Sequence, residues 1–451
     1  MLSAILLAIV PTSFQQAPSG SAPRLERLAV LAAAGKGSEI LSIQASTARA
    51  VLIHSKSGQV ELFDLTDPAH PRSARVIDLA LEQGEDVTSV AIPPSGDWFL
   101  AVAKAKRPLA PGRALLHSLA DGRVLASFPT GVGPDCVYID KGGRYALIAN
   151  EAEEFDEVGG KLVSAPGSLT LVRLAEDPAK SLVTQIALES APGPTDGRFL
   201  ERKVGELPHE IELGGAPEFL EPEVVAFLPD GAHALVTLQE NNQVAYVDLA
   251  AAKVTRLVPL GHTTHAADLL EDGRFDDGGS LLARREPDGI AVTPDGRYFV
   301  TADEGDTEPS VEKTPAGMPC SGGRTLSVFD LASGALLGDT GPALDRAAAQ
   351  AGLYNDKRSR KKGCEPEMVL IFERDGRAFA AVTLERAGAL ALVDLADPTH
   401  PKVVSVAPTG NDSAGDEPEG LAHYRDPKSG ADYLYVANEG TDTLGVLRVP
   451  R

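Results

Sequence analysis

The feature that most constrains the fold is a degenerate internal repeat, clearest in REPDGIAVTPDGRYFVTADEG at residues 285–305. Two short strands flank Pro294-Asp295-Gly296-Arg297, a turn in which proline presets φ at one corner and glycine takes the φ > 0 position. The first strand opens at Glu286-Pro287-Asp288 and runs through Ile290 and Val292. The second runs from Tyr298 to Ala302 and ends in Asp303-Glu304. The pattern returns in FLEPEVVAFLPDGAHALVTLQE ending at Glu240, GCEPEMVLIFERDGRAFAAVTLE ending at Glu385, DEPEGLAHYRDPKSGADYLYVANE ending at Glu439 and VGPDCVYIDKGGRYALIANE ending at Glu151. Each copy carries an acid at the start of one strand and a glutamate at the end of the next. A repeat of this kind fixes architecture before any single motif does.

Taken in order, the chain supplies one isolated strand at Arg24–Ala34 and then units of strand pairs. EILSIQ, AVLIHSK, QVELFDL and ARVIDLA make a first unit of four, and DVTSVAIPPSGDWFLAVAKAK with GRALLHSLADGRVLASFP a second. Later units begin at Gly133, Glu221, Glu286, Glu365 and Glu417. The endings VELFDL, VAYVDL, LSVFDL and LALVDL alternate as half-buried strands do, each followed by a turn aspartate. The last unit has three strands and the first strand has no unit. If that strand completes the last unit, the ring closes and its sheet edges stay short and protected. The expected fold is therefore all-β, a seven-bladed β-propeller closed by the N-terminal strand; six or eight blades also fit the degenerate first two units. Insertions fall near 189–219, 261–285, 307–323 and 345–362, where long loops in compact domains are functional or disordered. PALDRAAAQAG reads as a short helix within this region.

LSAILLAIV near the N-terminus is a short apolar run followed by a polar stretch ending at Ala17, the form of a secretion signal over 1–17, with a single propeller domain over 18–451. It is too short to span a bilayer, and no later segment reaches that length. A periplasmic or secreted protein is expected, with no membrane span, and a monomer. Lys+Arg number 42 against 64 Asp+Glu, a net charge of -22. That excludes the basic face a nucleic-acid or anionic-membrane partner requires.

In a propeller the first strand of each blade lines the central channel. The paired acids then converge at one rim: Asp135 with Glu151, Glu223 with Glu240, Asp288 with Glu304, Glu367 with Glu385, and Glu419 with Glu439. Close carboxylates stay ionised only if a cation compensates them. Hard oxygen donors select Ca²⁺ first, so Ca²⁺ is the expected cofactor, with no organic one. The first two units pair Glu39 with Lys56 and Asp86 with Lys104, with Arg107 nearby. Lys56, Lys104 and Arg107 would give the funnel a basic side able to receive a phosphate ester held against the metal. A lysine–glutamate network without metal is the competing reading.

Cys136 reads as a small hydrophobe in an inner strand. Cys320 and Cys364, in polar contexts, are a disulfide candidate in an oxidising compartment, against two unpaired loop thiols. His262 and His265, three apart before an acidic run, suit a transition metal less well than they suit polar loop positions, as does His209. No Gly-x-Ser-x-Gly, phosphate-binding glycine loop, CxxC or haem motif occurs, so catalytic residues are unassigned.

TLQENNQVAYVDLAAAKVTRLVPLG, the insertion that follows it, EPDGIAVTPDGRYFVTADEGD and the closing PEGLAHY…YLYVANEGTDTLGVLRV resemble the choice-of-anchor I family over Glu221 to the C-terminus, and more loosely over the whole mature chain. The resemblance implies an exported propeller, phosphatase-like, and similar to mesenchyme-specific cell-surface glycoproteins tied to calcium biomineralisation. It carries over no catalytic residue. PEGLAHYRDPKSGADYLYVANEG also looks like the strand-turn-strand-Glu element of β-propeller phytases, whose channel-mouth carboxylates hold calcium that binds phosphate. Three functions follow: a calcium-dependent phosphoesterase, a non-catalytic propeller binding calcium, a partner or a surface polymer, and, last, a lactonase- or oxidoreductase-like enzyme for which no cofactor motif speaks.

Overall fold

The computed structural model describes residues 23–153, 155–158, 161–188, 203–204, 207–208, 220–305, 310–411 and 415–450. The expected leader at 1–17, His209 and most of the 189–219 insertion lie outside the described residues. Seven four-stranded antiparallel sheets form the propeller. Six blades run from inner to outer strand in chain order; blade 1, for example, is Ser38–Gln44, Arg49–His54, Gln59–Asp64 and Arg72–Asp78. Blade 7 is built from Pro418–Arg425, Asp432–Asn438 and Thr443–Val449, and the N-terminal strand Glu26–Ala32 supplies its outer edge. The seventh inner strand lies against the first, so the ring of inner strands closes.

Local chemistry explains the blades. In the turn at Pro294–Arg297, Gly296 takes φ +66, its N–H reaches the Thr293 carbonyl at 2.8 Å, and the Asp295 carboxylate accepts from Arg297 N at 3.1 Å. The aspartates after the third strands are turn residues, as expected: Asp64, Asp248, Asp330 and Asp394 each accept a backbone N–H two or three residues on. Between blades the sheets bury apolar faces, and on blade 5 the cross-strand pair Phe299 and Phe329 stacks with centroids 4.9 Å apart. Each such ring removed from water contributes about 1.5–3 kcal/mol.

The described residues of the insertions around blade 5 form defined elements. The 261–285 segment forms a hairpin of His262–Ala267 with Gly279–Arg284, so its two histidines lie on a strand rather than a loop. His262 is exposed, and the His265 ring is held by the carbonyls of Ala266 and Gly323 at 2.8 and 2.9 Å. The expected helix is Ala343–Gln350. The Cys320–Cys364 disulfide is not formed; all three cysteines are buried free thiols. The reason is packing: Cys320 sits with Ala267, Leu281 and Ala283 beneath the hairpin, whereas Cys364 sits in a separate cluster with Leu344 and Ala348 of the helix.

Candidate functional site

The inner strands start with a β-bulge, and the bulge aims the acids into the channel. Ser38, Pro134, Pro222, Pro366 and Pro418 pair with the last residues of their neighbouring strands and Val87 with Ala103, one residue before the end, and the register then slips. The residues immediately after these are Glu39, Thr88, Asp135, Glu223, Glu367 and Glu419; Asp288 completes the ring from blade 5. All seven line one cavity of about 200 Å³, together with Gln239 and Glu304. The inner ring is thus six carboxylates and a threonine.

The same register fixes which residue leaves the second strand beside the ring: Ser55, Lys104, Glu151, Gln239, Glu385 and Glu439, with Glu304 in blade 5. One expected pairing shifts by one residue: Ser55, not Lys56, stands beside Glu39 and donates to it. Gln239 borders the cavity, while Glu240 keeps its expected place beside Glu223. In blade 2 the ring position is Thr88 rather than Asp86. A one-residue slip changes the face a side chain points to, and neighbouring polar residues give the sequence no means of choosing between registers.

The expected acids come together. One carboxylate oxygen from each of Glu151, Glu223 and Glu240 lies within 4.8 Å of the others, between blades 3 and 4, and Glu304, Glu367 and Glu385 do the same between blades 5 and 6. Two oxygens on one Ca²⁺ stand about 4.6–5.2 Å apart when directly opposed, so 4.8 Å suits a shared ion of that size. Oε2 of Glu367 is buried without a hydrogen bond. Burial, then neighbouring carboxylates, pushes Glu151, Glu223, Glu367 and Glu419 well above the ordinary carboxylate range. Burial also dominates at Glu304, opposed by Lys362. Glu39 rises to about 7 by burial, against the Ser55 hydrogen bond, and Glu385 to about 7 by burial, against Arg386. Asp135 rises to about 6 by burial and the Glu153 charge, against Lys104.

The basic residues take a different part from the one the sequence suggested. Lys56 Nζ is 2.8 Å from Glu439 Oε1, at the seam of blades 7 and 1. Lys104 Nζ is 3.8 Å from Glu153 Oε1 and acts on Asp135, at the seam of blades 2 and 3. Arg107 is exposed.

An outer set of acids, less visible in the sequence, precedes the ring. Glu286, Glu365 and Glu417 sit in left-handed backbone at φ +48, +53 and +46, where blades 1 and 3 use Gly37 and Gly133. A side chain there costs about 1–2 kcal/mol that glycine avoids. These acids are neutralised from loops: Glu286 by Arg284, Glu365 by Arg358 at 2.5 Å and Arg386 at 3.3 Å, and Glu417 by Arg386 at 2.6 Å. In contrast, Glu223, Glu367 and Glu419 have no ion pair among the described residues. The Glu-Pro-acid triplets of blades 4 to 7 were the available signal for this outer set; of the arginine partners, Arg284 and Arg358 lie in insertions whose course the repeat does not encode, and Arg386 lies in a turn of blade 6.

The architecture is similar at low identity to solved structures: a Kuenenia stuttgartiensis hydrazine synthase chain, TM-score 0.57, 11% identity, covering 97% of this chain and 100% of that one. A Myceliophteria thermophila Cps50 (Swd1) beta-propeller domain gives TM-score 0.54 and 10% identity, covering 95% of this chain and 100% of that one. At these identities the likeness is one of fold alone. No curated protein matches the sequence. The choice-of-anchor I domain model matches residues 39–317 and 316–398, most of the chain and nearly all of the ring just described. The protein belongs to the choice-of-anchor I domain family.

Proposed function

We propose that the acidic funnel is a divalent-cation site, calcium before other metals, on an exported propeller. The observation that carries this is the contrast between seams. Where blades 7 and 1 and blades 2 and 3 meet, a lysine ammonium lies among the carboxylates. Where blades 3 and 4 and blades 5 and 6 meet, three carboxylate oxygens converge within 4.8 Å. A metal ion would do at the second pair of seams what lysine does at the first. Membership in a choice-of-anchor family is consistent with an exported or cell-surface protein, and no helix among the described residues is long and apolar enough to cross a membrane. Calorimetric titration of chelator-treated protein with Ca²⁺ tests the site. Saturable binding, weakened by Glu223→Gln and by Glu367→Gln, is expected; absence of both heat and any change in melting overturns it.

A calcium-dependent phosphoesterase at the same funnel is the second reading, favoured by a cavity of about 200 Å³ bordered by the carboxylates. Its nucleophile would be water on the metal, since the sequence holds no recognisable protein nucleophile. Lys56 and Lys104 would have to leave Glu439 and Glu153 to receive phosphate, which places binding ahead of hydrolysis. Turnover of p-nitrophenyl phosphate that chelator and Glu304→Gln both abolish supports the enzyme; calcium-dependent melting without turnover supports a non-catalytic binder of calcium, a partner or a surface polymer.

A further inference from the structure

The channel does not end at the acidic funnel. Tyr138 and Met368 reach into it from opposite sides, with Oη and Sδ 3.8 Å apart, and Tyr138 borders the cavities on both sides of this septum. Beyond it lies a larger chamber of about 700 Å³. Apolar side chains reach its walls from six blades, Ile43, Ile139, Phe227, Val292, Ile371 and Leu421, alongside polar surface of about equal extent. The first five of these are only partly buried, so apolar surface faces the open space. The charges at its rim are mostly spoken for. Arg144 lies against Asp140 at 3.6 Å and donates to the Gly231 carbonyl at 2.5 Å. Asp230 holds His233 at 2.7 Å, and His423 holds Asp432 at 3.0 Å. Lys141 is exposed at the rim and has no ion pair among the described residues.

We infer that this chamber is a second ligand site, for a small amphiphile with an apolar body and one anionic group. Its volume is that of small-molecule sites, about 300–1,000 Å³, and such sites pair apolar walls with few polar anchors. The apolar body displaces water from the walls, and Lys141 receives the anion. The site stands on residues other than the funnel acids and does not depend on the cation reading.

Two probes that share an apolar body test it: 1-anilinonaphthalene-8-sulfonate, which is anionic, and N-phenyl-1-naphthylamine, which is neutral. Each is titrated into the full chain, with near-ultraviolet circular dichroism confirming that every variant is folded. Saturable binding of one molecule per chain is expected for both. Ile371→Asp and the space-filling Ala226→Phe, at a second residue that lines the chamber, should each abolish it. Lys141→Glu should weaken the sulfonate about tenfold, about 1.4 kcal/mol, and leave the neutral probe unchanged. Chelator and Glu367→Gln should affect neither probe, which separates this result from the fate of the funnel. Non-saturable binding, or binding that survives both wall variants, overturns the site; equal effects of Lys141→Glu on the two probes overturn the anionic group.

Discussion

Lys56 Nζ lies 2.8 Å from Glu439 Oε1, joining the first blade to the last across the mouth of the funnel. The ammonium also acts on Glu39, whose carboxyl burial lifts to about 7. Lys56→Gln removes the cation and leaves both acids. Two outcomes are expected together. Metal-free protein should melt at a slightly lower temperature, since a pair this exposed contributes little. The number of Ca²⁺ bound per chain should rise by one, because the seam then resembles those between blades 3 and 4 and blades 5 and 6. Calorimetric stoichiometry before and after the substitution checks it; an unchanged count rejects the equivalence of the seams.

The ring acids make stability depend on pH in a direction opposite to that of ordinary surface carboxylates. Glu39 and Glu385 sit at about 7 and Asp135 at about 6 in the folded protein, all above their unfolded values. Between the unfolded and folded values the native state binds more protons, so stability falls as pH rises. Chelator-treated protein should therefore lose stability from about pH 4.5 to about pH 7 through these groups. Calcium should bind more tightly across the same interval and release protons as it does so. Melting curves at several pH values, with chelator and with excess Ca²⁺, check both; a metal-free protein that gains stability over that interval contradicts the buried-carboxylate account.

The blades were legible because strand alternation and Asp-Gly turns are local, and because seven copies repeat the same pattern. Ring closure was legible because a lone strand and an incomplete unit have one economical solution. The bulge was not. It decides that Thr88 and Ser55 take the places expected for Asp86 and Lys56, and that Gln239 borders the cavity. Pairing register depends on the partner strand, which a single sequence window does not contain. Two of the arginines that neutralise the outer acids, Arg284 at Glu286 and Arg358 at Glu365, were hidden for a related reason, since they come from insertions outside the repeat.

Arg285 is 1% exposed and closes the hairpin insertion onto blade 5. It reaches Asp303 Oδ2 at 3.4 Å, Asp339 Oδ2 at 2.9 Å, Ser327 Oγ at 2.6 Å and the Leu260 carbonyl at 3.1 Å. Asp303 is fully buried, and burial raises its carboxyl even with Arg285 beside it. Arg285→Met strands that acid, and breaking a buried pair from one side costs about 3–5 kcal/mol. Adding Asp303→Asn should recover part of the loss. Denaturant unfolding of the two single variants and the double variant measures the coupling; additive losses would show that the two residues act independently.

The ring is held shut at one sheet. Glu26–Ala32 runs antiparallel to Thr443–Val449, from Glu26 opposite Arg448 to Ala32 opposite Thr443. Asp442 fixes the end of this ladder. Its carboxylate accepts from Lys36 Nζ at 2.8 Å and Gly37 N at 2.7 Å, and its carbonyl from Ala33 N at 2.9 Å. Asp442→Ala removes the two carboxylate bonds, at about 1 kcal/mol for each net hydrogen bond. Limited proteolysis should then cut first between residues 24 and 36, before any blade. Deleting residues up to 33 leaves Thr443–Val449 as an unpaired edge, a template for association with other chains. That protein should melt less cooperatively and form oligomers on size exclusion. A deletion variant that stays monomeric and melts as the full chain does would mean that the propeller is closed by its inner strands alone, with the N-terminal strand contributing nothing to the ring.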